Sequence, residues 1–287
     1  MSSEKPSLPE TYKRPEIWTE GDMGGFFGGI NRPTAGARSE EELPKGEHPI
    51  QLYSLATPNG QKVTILLEEL GVEYDAWKVD IMGQKQFTSG FVAANPNSKI
   101  PVMLDLKPGD VDGSEPLRVF ESGSILFYLA EKYGKLLPKD DIRKRTEVMN
   151  WLMFQMGSAP YIGGGLGHFY HYAPIHIEYA INRFAMEVKR QMDVLDQHLA
   201  DGSKEFMVGE ELTIADIALW PWVRALFEGA YEGVATFLQM DQYQHLQRWY
   251  KALAERKAFM RGIRVNGWTE GSLSERHSKD DFAPEEY

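Results

Sequence analysis

One helix constrains this chain most, because both of its ends are written into the sequence. TPNGQKVTILLEELG (57–71) opens with Thr57 as a side-chain N-cap and Pro58 at the first helical position, where its missing N–H costs nothing. Val63, Leu66, Leu67 and Leu70 recur at intervals of three and four, and Gly71 follows as a stop. Strand-like runs flank this helix, IQLYSL (50–55) before it and EYDAWKVD (73–80) after it. The order predicts a β-α-β unit with a parallel crossover.

A second half follows. NPNSKIPVMLDL (95–106) enters a third strand through Ile100–Pro101, PLRVF (116–120) is a fourth, and KPGDVDGSE between them has turn composition, which predicts an antiparallel hairpin. ESGSILFYLAEKYG (121–134) reads as a helix with Ile125, Leu126, Leu129 and Ala130 on its apolar face and Gly134 at its end. This succession of elements has the topology of a thioredoxin-like domain. The rest reads as helical: a helix from Leu137 onward, a long one from Ile175, and LTIADIALWPW (212–222) with a T-x-x-D capping box at Thr213–Asp216. Pro221 is expected to kink or end that helix, and a polar tail is expected from about residue 266. The predicted organisation is an N-terminal extension (1–47), an α/β domain (48–137) and an all-α domain with a C-terminal tail (138–287). The extension lacks helical or strand periodicity, yet Trp18, Phe26 and Phe27 predict that it packs across the domains or on a partner subunit.

Composition narrows the chemistry. A length of 287 residues suits two domains. Forty-two acidic against thirty-one basic residues, with no long Lys/Arg block, argue against nucleic acid as a partner. No run of eighteen apolar residues could cross a membrane, and the N-terminus has no apolar core of a secretory signal. The chain has no cysteine. Disulfide staples, thiolate metal sites, a CxxC pair and a cysteine nucleophile are therefore excluded, and a reducing, cytoplasmic setting is expected.

Three strand-to-helix or loop-to-strand junctions are candidate sites. At Thr57-Pro58-Asn59, free N–H groups at a helix N-terminus, a hydroxyl and an amide could stabilise a thiolate; plain helix capping accounts for the same residues. At Lys99-Ile100-Pro101, a cis X-Pro turn could offer the N–H and C=O of Ile100 to a peptide-like ligand; an ordinary strand start is the alternative. At Glu121-Ser122, the hydroxyl and N–H of Ser122 could receive a carboxylate, and a bare N-cap is again the alternative. The topology puts all three at one end of the sheet, enough to hold a small ligand with a thiol, a peptide backbone and a carboxylate. GGGLG (163–167) lacks the G-K-[ST] ending of a phosphate loop. His168, His171 and His176 lack the companions of a metal site and read better, with Phe169, Tyr170 and Tyr172, as the wall of an electrophile pocket.

These motifs together resemble the glutathione transferases, and most closely the nu-class glutathione-dependent disulfide-bond reductases. LYSLATPNGQKVTILLEELG, GGINRP (28–33), NPNSKIP, RVFESGSILFYLAEKYG, GHFYHYAP, EYAINRF and TIADIALWPW carry the resemblance, which runs from about residue 16 to 270. It implies an N-terminal thioredoxin-like domain followed by a helical glutathione-transferase C-terminal domain. It also implies a homodimer that binds two glutathiones, or glutathione disulfide, in each site. Thr57 and Asn59 then face the glutathione sulfur, beside Pro58. Ile100 pairs with the glutathione cysteine backbone, and Glu121 and Ser122 hold the γ-glutamyl end. Asn31, Gln86 and Lys99 make further contacts, and Tyr179 and Arg183 reach a second glutathione. Asn150 and Gln155 fit the family pattern less well, Gln155 being displaced by one position. Tyr53 and Ser54 are alternative hydroxyls but lie within the strand, so Thr57 is preferred.

The expected activity is thiol–disulfide exchange on small-molecule disulfides, extending to hydroperoxides, with both sulfurs supplied by glutathione. Conjugation of glutathione to carbon electrophiles is the alternative. A non-catalytic regulator is a second alternative; fungal relatives of that kind carry an Asn/Gln-rich leader, whereas residues 1–47 here hold only Asn31 of those two types.

Overall fold

A computed structural model describes residues 15–21, 24–25, 28–202 and 204–287. Strand β1 (Ile50–Ser54) leads into helix α1 (Pro58–Leu70) and returns to β2 (Asp75–Lys78), parallel to β1. A short helix α2 (Ser89–Ala94) precedes β3 (Val102–Asp105) and β4 (Leu117–Phe120), an antiparallel pair followed by α3 (Ser122–Tyr133). The sheet order is β2-β1-β3-β4, with β1 antiparallel to β3, as a thioredoxin-like domain requires. All five residues of β1 are buried, so the central strand is covered on both faces.

The caps behave as the sequence predicts. Thr57 accepts from the Gly60 N–H, and Gly71 adopts φ 68°, closing α1 with bonds to the Leu67 and Glu68 carbonyls. Helix α1 lies against the helical part of the chain. Thr64 donates to the Gly262 carbonyl at 2.7 Å, and a Cβ on Gly262 would come within 2.6 Å of the Ile65 backbone.

That helical part comprises α4 (Ile142–Pro160), a π-helix continuing it (Tyr161–Tyr172), α5 (Glu178–Leu199) and α6 (Ile214–Phe227), then α7 (Val234–Phe237), α8 (Gln244–Ala254) and α9 (Lys257–Gly262). Asp216 of the expected capping box is fully buried and accepts from the N–H groups of Met207 and Thr213, the Thr213 hydroxyl and the Trp249 indole. Pro221 does not end its helix. Ile214 to Val223 are all buried, and that burial on every side carries α6 through the single missing N–H donor.

The glycine-rich run is explained by aromatic packing. A Cβ on Gly163 would meet the Trp222 ring, one on Gly165 the Phe184 ring, and one on Gly167 the Tyr231 ring. The run lies inside the π-helix, and its glycines let three aromatic rings approach the backbone.

The tail beyond residue 266 is polar in composition but not free. Asn266, Arg276 and Phe282 are buried, and Arg276 exchanges backbone hydrogen bonds with Ala76 on the outer edge of the sheet. Glu68 of α1 binds Arg261 at 2.6 Å, Arg276 at 3.4 Å and the Tyr74 hydroxyl at 2.9 Å. The tail thus covers a strand edge that would otherwise be open.

The extension reaches both parts of the chain. Gly25 lies beside Pro174 of the helical part, while the Arg38 and Ser39 backbones bond to Phe87 and Ser89 next to α2. Trp18 is exposed in the single chain, and Phe26 and Phe27 lie outside the described residues. Among the described residues, no helix is long and apolar enough to cross a membrane.

Candidate functional site

A cavity of ≈ 480 Å³ opens where the sheet meets the helical part, a size suited to a small peptide-like ligand. Its lining includes Asn31, Thr57, Pro58, Asn59, Gln86, Lys99, Ile100, Glu121 and Ser122, so the three junctions and the extension converge on it. A smaller space of ≈ 200 Å³ continues from it past Asn97, Glu121 and Ser122.

At the N-terminus of α1, capping and site geometry coincide. The Thr57 hydroxyl lies 3.4 Å from the Gly60 N–H and 3.5 Å from the Leu55 carbonyl, two long contacts that leave it able to turn to a ligand. Asn59 is fixed more firmly. Its Oδ1 accepts from the Lys62 ammonium at 2.9 Å and from the Trp222 indole N–H at 2.9 Å. With the carbonyl oxygen so engaged, the amide orientation is set, and both Nδ2 hydrogens remain as donors.

At the second junction, the Ile100–Pro101 bond is cis, and neither the N–H nor the C=O of Ile100 bonds within the described residues. Lys99 reaches Asn31 of the extension at 3.3 Å. Arg38 fixes that part of the extension, donating to the Ile30 carbonyl at 2.8 Å and to Gln84 at 2.9 Å while its guanidinium lies 3.4 Å over the Phe87 ring.

At the third junction, Glu121 has a φ of 69° and Ser98 one of 53°, two non-glycine residues in the positive-φ region at one site. Such conformations persist only where their surroundings hold them. Glu121 accepts from Asn97 at 3.2 Å, and Ser122 begins α3 with its hydroxyl 3.4 Å from Lys62.

The lining fits glutathione chemically. Gln86 donates to the Ile81 carbonyl, which leaves its buried Oε1 without any hydrogen-bond partner and in need of a ligand donor. The free backbone groups of Ile100 match a peptide unit. Lys62 and Lys99 complement two carboxylates, and Glu121 complements an ammonium.

Other expected positions lie elsewhere. Tyr179 and Arg183 stand exposed on α5, outside this cavity in a single chain. Asn150 is exposed and bonded to Glu147, and Gln155 is buried behind the wall, where Met156 takes the lining position instead. Tyr53 is buried and donates to the Pro44 carbonyl, and Ser54 is fully buried. The expected aromatic wall needs correction. Phe169 stacks on Phe184, and Tyr170 donates to the Glu232 carbonyl, so both serve packing. Of that group, Tyr172 lines a second cavity of ≈ 360 Å³, shared with Tyr231, Arg224 and Trp268. Thr57 and Pro58 form the wall between the two cavities. His168, His171 and His176 do not line either cavity, and among the described residues no three His, Cys, Asp or Glu side chains converge as a metal site.

Sequence reasoning missed Lys62 and Trp222. Lys62 carried a signal, a lysine three residues after Asn59 and on the same helical face, in a helix otherwise apolar there. Trp222 carried none, since its partner lies 163 residues away in sequence.

Comparison with known proteins places this geometry. Residues 56–132 match the glutathione S-transferase N-terminal domain, and residues 178–252 match the glutathione S-transferase C-terminal domain. The chain belongs to the glutathione S-transferase family. Within it, the chain is 54% identical to the disulfide-bond oxidoreductase YghU of Escherichia coli K12, over 95% of each chain. It also resembles the crystal structure of glutathione transferase YghU from Streptococcus pneumoniae, complexed with glutathione, with a TM-score of 0.85 and 52% identity over 90% of this chain and 99% of that one. A glutathione transferase family member from Pseudomonas fluorescens, with two glutathione bound, gives a TM-score of 0.70 at 42% identity, covering 76% of this chain and 94% of that one.

Proposed function

We propose that the chain is a glutathione-dependent disulfide-bond reductase that binds two glutathiones, or glutathione disulfide, in its cleft. The observation that carries this reading is the convergence of Thr57, Asn59, Ile100, Gln86, Glu121 and Ser122 on one cavity, where Gln86 Oε1 and the Ile100 backbone groups have no partner among the described residues. The relatives described above, named for disulfide-bond oxidoreduction or holding one or two glutathiones, support it.

In this reading the Thr57 hydroxyl and the Asn59 amide donate to one glutathione sulfur and favour its thiolate. That thiolate attacks a substrate disulfide sulfur, forming a mixed disulfide and expelling one substrate thiolate. The second glutathione thiolate attacks the glutathione sulfur of the mixed disulfide, expelling the other substrate thiolate. Two glutathiones are oxidised to one disulfide, two substrate thiols are released, and the protein supplies alignment and charge but no sulfur. Ile100 holds the peptide backbone, Gln86 accepts a ligand N–H, and Lys99, Asn31, Glu121 and Ser122 hold the charged ends.

Tyr179 and Arg183 are assigned to the second glutathione by the resemblance. Reduction of organic hydroperoxides belongs to the same proposal, since an activated thiolate also attacks an O–O bond. So do the cytoplasm, where reduced glutathione is supplied, and a homodimer, supported by the exposed Met153, Tyr179 and Met186 on α4 and α5. The boundaries proposed for the domains are 1–47, 48–137 and 138–287.

The test is turnover of bis(2-hydroxyethyl) disulfide with glutathione. Thr57→Ala should lose at least about tenfold in kcat at saturating glutathione, the scale of one donor to a charged group. Undiminished turnover would remove Thr57 as the activating residue. The second cavity favours one further reading, conjugation to an aromatic electrophile seated between Tyr172, Tyr231 and Trp268. A fast reaction with an aryl halide and a negligible one with disulfides would select it.

A further inference from the structure

Lys62 is the most unusual group at the site. Its side chain is fully buried, yet it forms no ion pair within 4.0 Å among the described residues. Its ammonium is held by two neutral oxygens, Asn59 Oδ1 at 2.9 Å and Ser122 Oγ at 3.4 Å, and it lines the cleft between them. These are the two residues assigned to opposite ends of the ligand, the sulfur and the γ-glutamyl carboxylate. A buried ammonium with neutral partners alone is costly, and an anion in the cleft would remove that cost.

Resting on the glutathione reading above, we propose that Lys62 is the buried counter-charge of the bound tripeptide and the positioning residue that orients Asn59 toward the sulfur. Through Ser122 its charge supports the carboxylate end. Through Asn59 Oδ1 it polarises the amide, so that the Nδ2–H groups become stronger donors to a thiolate. Trp222 on α6 holds the same oxygen from the other side and carries no charge of its own. Glu121, at the start of α3, is the titratable neighbour whose charge acts on Lys62.

The free protein has a second property consistent with this geometry. Burial lowers Lys62 to about 7, against the opposing pull of Glu121. An arriving anion should therefore bring a proton onto Lys62. Starting from a group at about 7, binding at pH 8 should take up roughly 0.9 proton per ligand.

The experiment uses S-methylglutathione, which has no ionisable thiol. Its binding to the full-length protein is measured by calorimetry at pH 8 in buffers of different ionisation enthalpy. Proton uptake near one per site is expected in the wild type, with no uptake and at least about tenfold weaker binding in Lys62→Met. With glutathione itself, the thiolate absorbance of the bound ligand should titrate about one unit higher in Lys62→Met, a shift typical of losing one nearby charge. Binding by the wild type that is no weaker when the γ-glutamyl α-carboxylate of the ligand is replaced by a carboxamide would overturn the proposal, whether or not the variant folds. Uptake or affinity unchanged in a folded Lys62→Met would overturn it too, while leaving the glutathione reading intact. Absence of binding by the wild type would defeat that underlying reading instead.

Discussion

Gly163→Ala probes a chain of contacts that runs from the π-helix to the reacting sulfur. A Cβ at position 163 would sit 2.5 Å from Trp222 Cη2 and 3.1 Å from Cζ3. Carbon atoms prefer about 3.5–4.0 Å, so the indole must retreat by roughly 1 Å. Overpacking of this kind costs about 1–3 kcal/mol of stability. The same displacement stretches the 2.9 Å bond from Trp222 Nε1 to Asn59 Oδ1 beyond hydrogen-bonding range. Asn59 is then held by Lys62 alone, and loss of a bond worth about 1 kcal/mol predicts a fall of roughly fivefold in kcat/KM. Disulfide-exchange kinetics and thermal unfolding measure the two effects separately. Trp222→Phe removes the indole donor without the clash and should reproduce the kinetic loss. Added to Trp222→Phe, Gly163→Ala should cost little further stability or turnover, because phenylalanine lacks the Cη2 and Cζ3 atoms that the new Cβ meets and the indole bond is already gone. Full activity in Trp222→Phe would refute the claim that Trp222 orients Asn59.

Three further outcomes test the framework around the site. Glu68→Gln leaves the buried Arg261 and Arg276 without their shared carboxylate, which should cost about 3–5 kcal/mol and lower Tm by on the order of 10 °C. Thermal unfolding checks this, and an unchanged Tm would mean that the tail does not clamp α1. Asp75 is buried, which by itself would raise its pKa, but hydrogen bonds from the His48 N–H, His277 and Gln51 outweigh burial and hold it below the usual carboxylate range. Its contribution is therefore present above about pH 4 and lost as pH falls through the lower folded-state value. The stability gap between wild type and Asp75→Asn, measured by urea unfolding, should narrow from pH 7 to pH 3, and a gap that widens would reverse the assignment. Arg38→Ala frees the extension from Gln84 and Phe87, so glutathione KM should rise about as much as in Asn31→Ala, with kcat and Tm little changed. A normal KM in Arg38→Ala would show that Asn31 needs no such anchor.

The sequence alone determined the local grammar of this protein. Thr57, Pro58 and Gly71 set the bounds of α1, Thr213 and Asp216 began α6, and the alternation of strand and helix fixed the sheet topology, because each signal acts within a few residues of its effect. Nine of the eleven residues expected to bind glutathione line one cavity, since junctions at one end of a sheet must meet. Tertiary structure decided the rest. Helix propensity made Pro221 a breaker, and burial on every side overrode it. Composition made residues beyond 266 a polar tail, but Arg276 within it is buried and paired with Glu68, some two hundred positions earlier. Lys62 reaches Asn59 along α1 itself, but Trp222 joins it on the same oxygen only after α6 is laid against α1, and no local pattern encodes a contact between segments brought together by packing. The absence of cysteine, legible from the first reading, says only that the sulfurs must come from elsewhere; the cleft shows which groups would receive them.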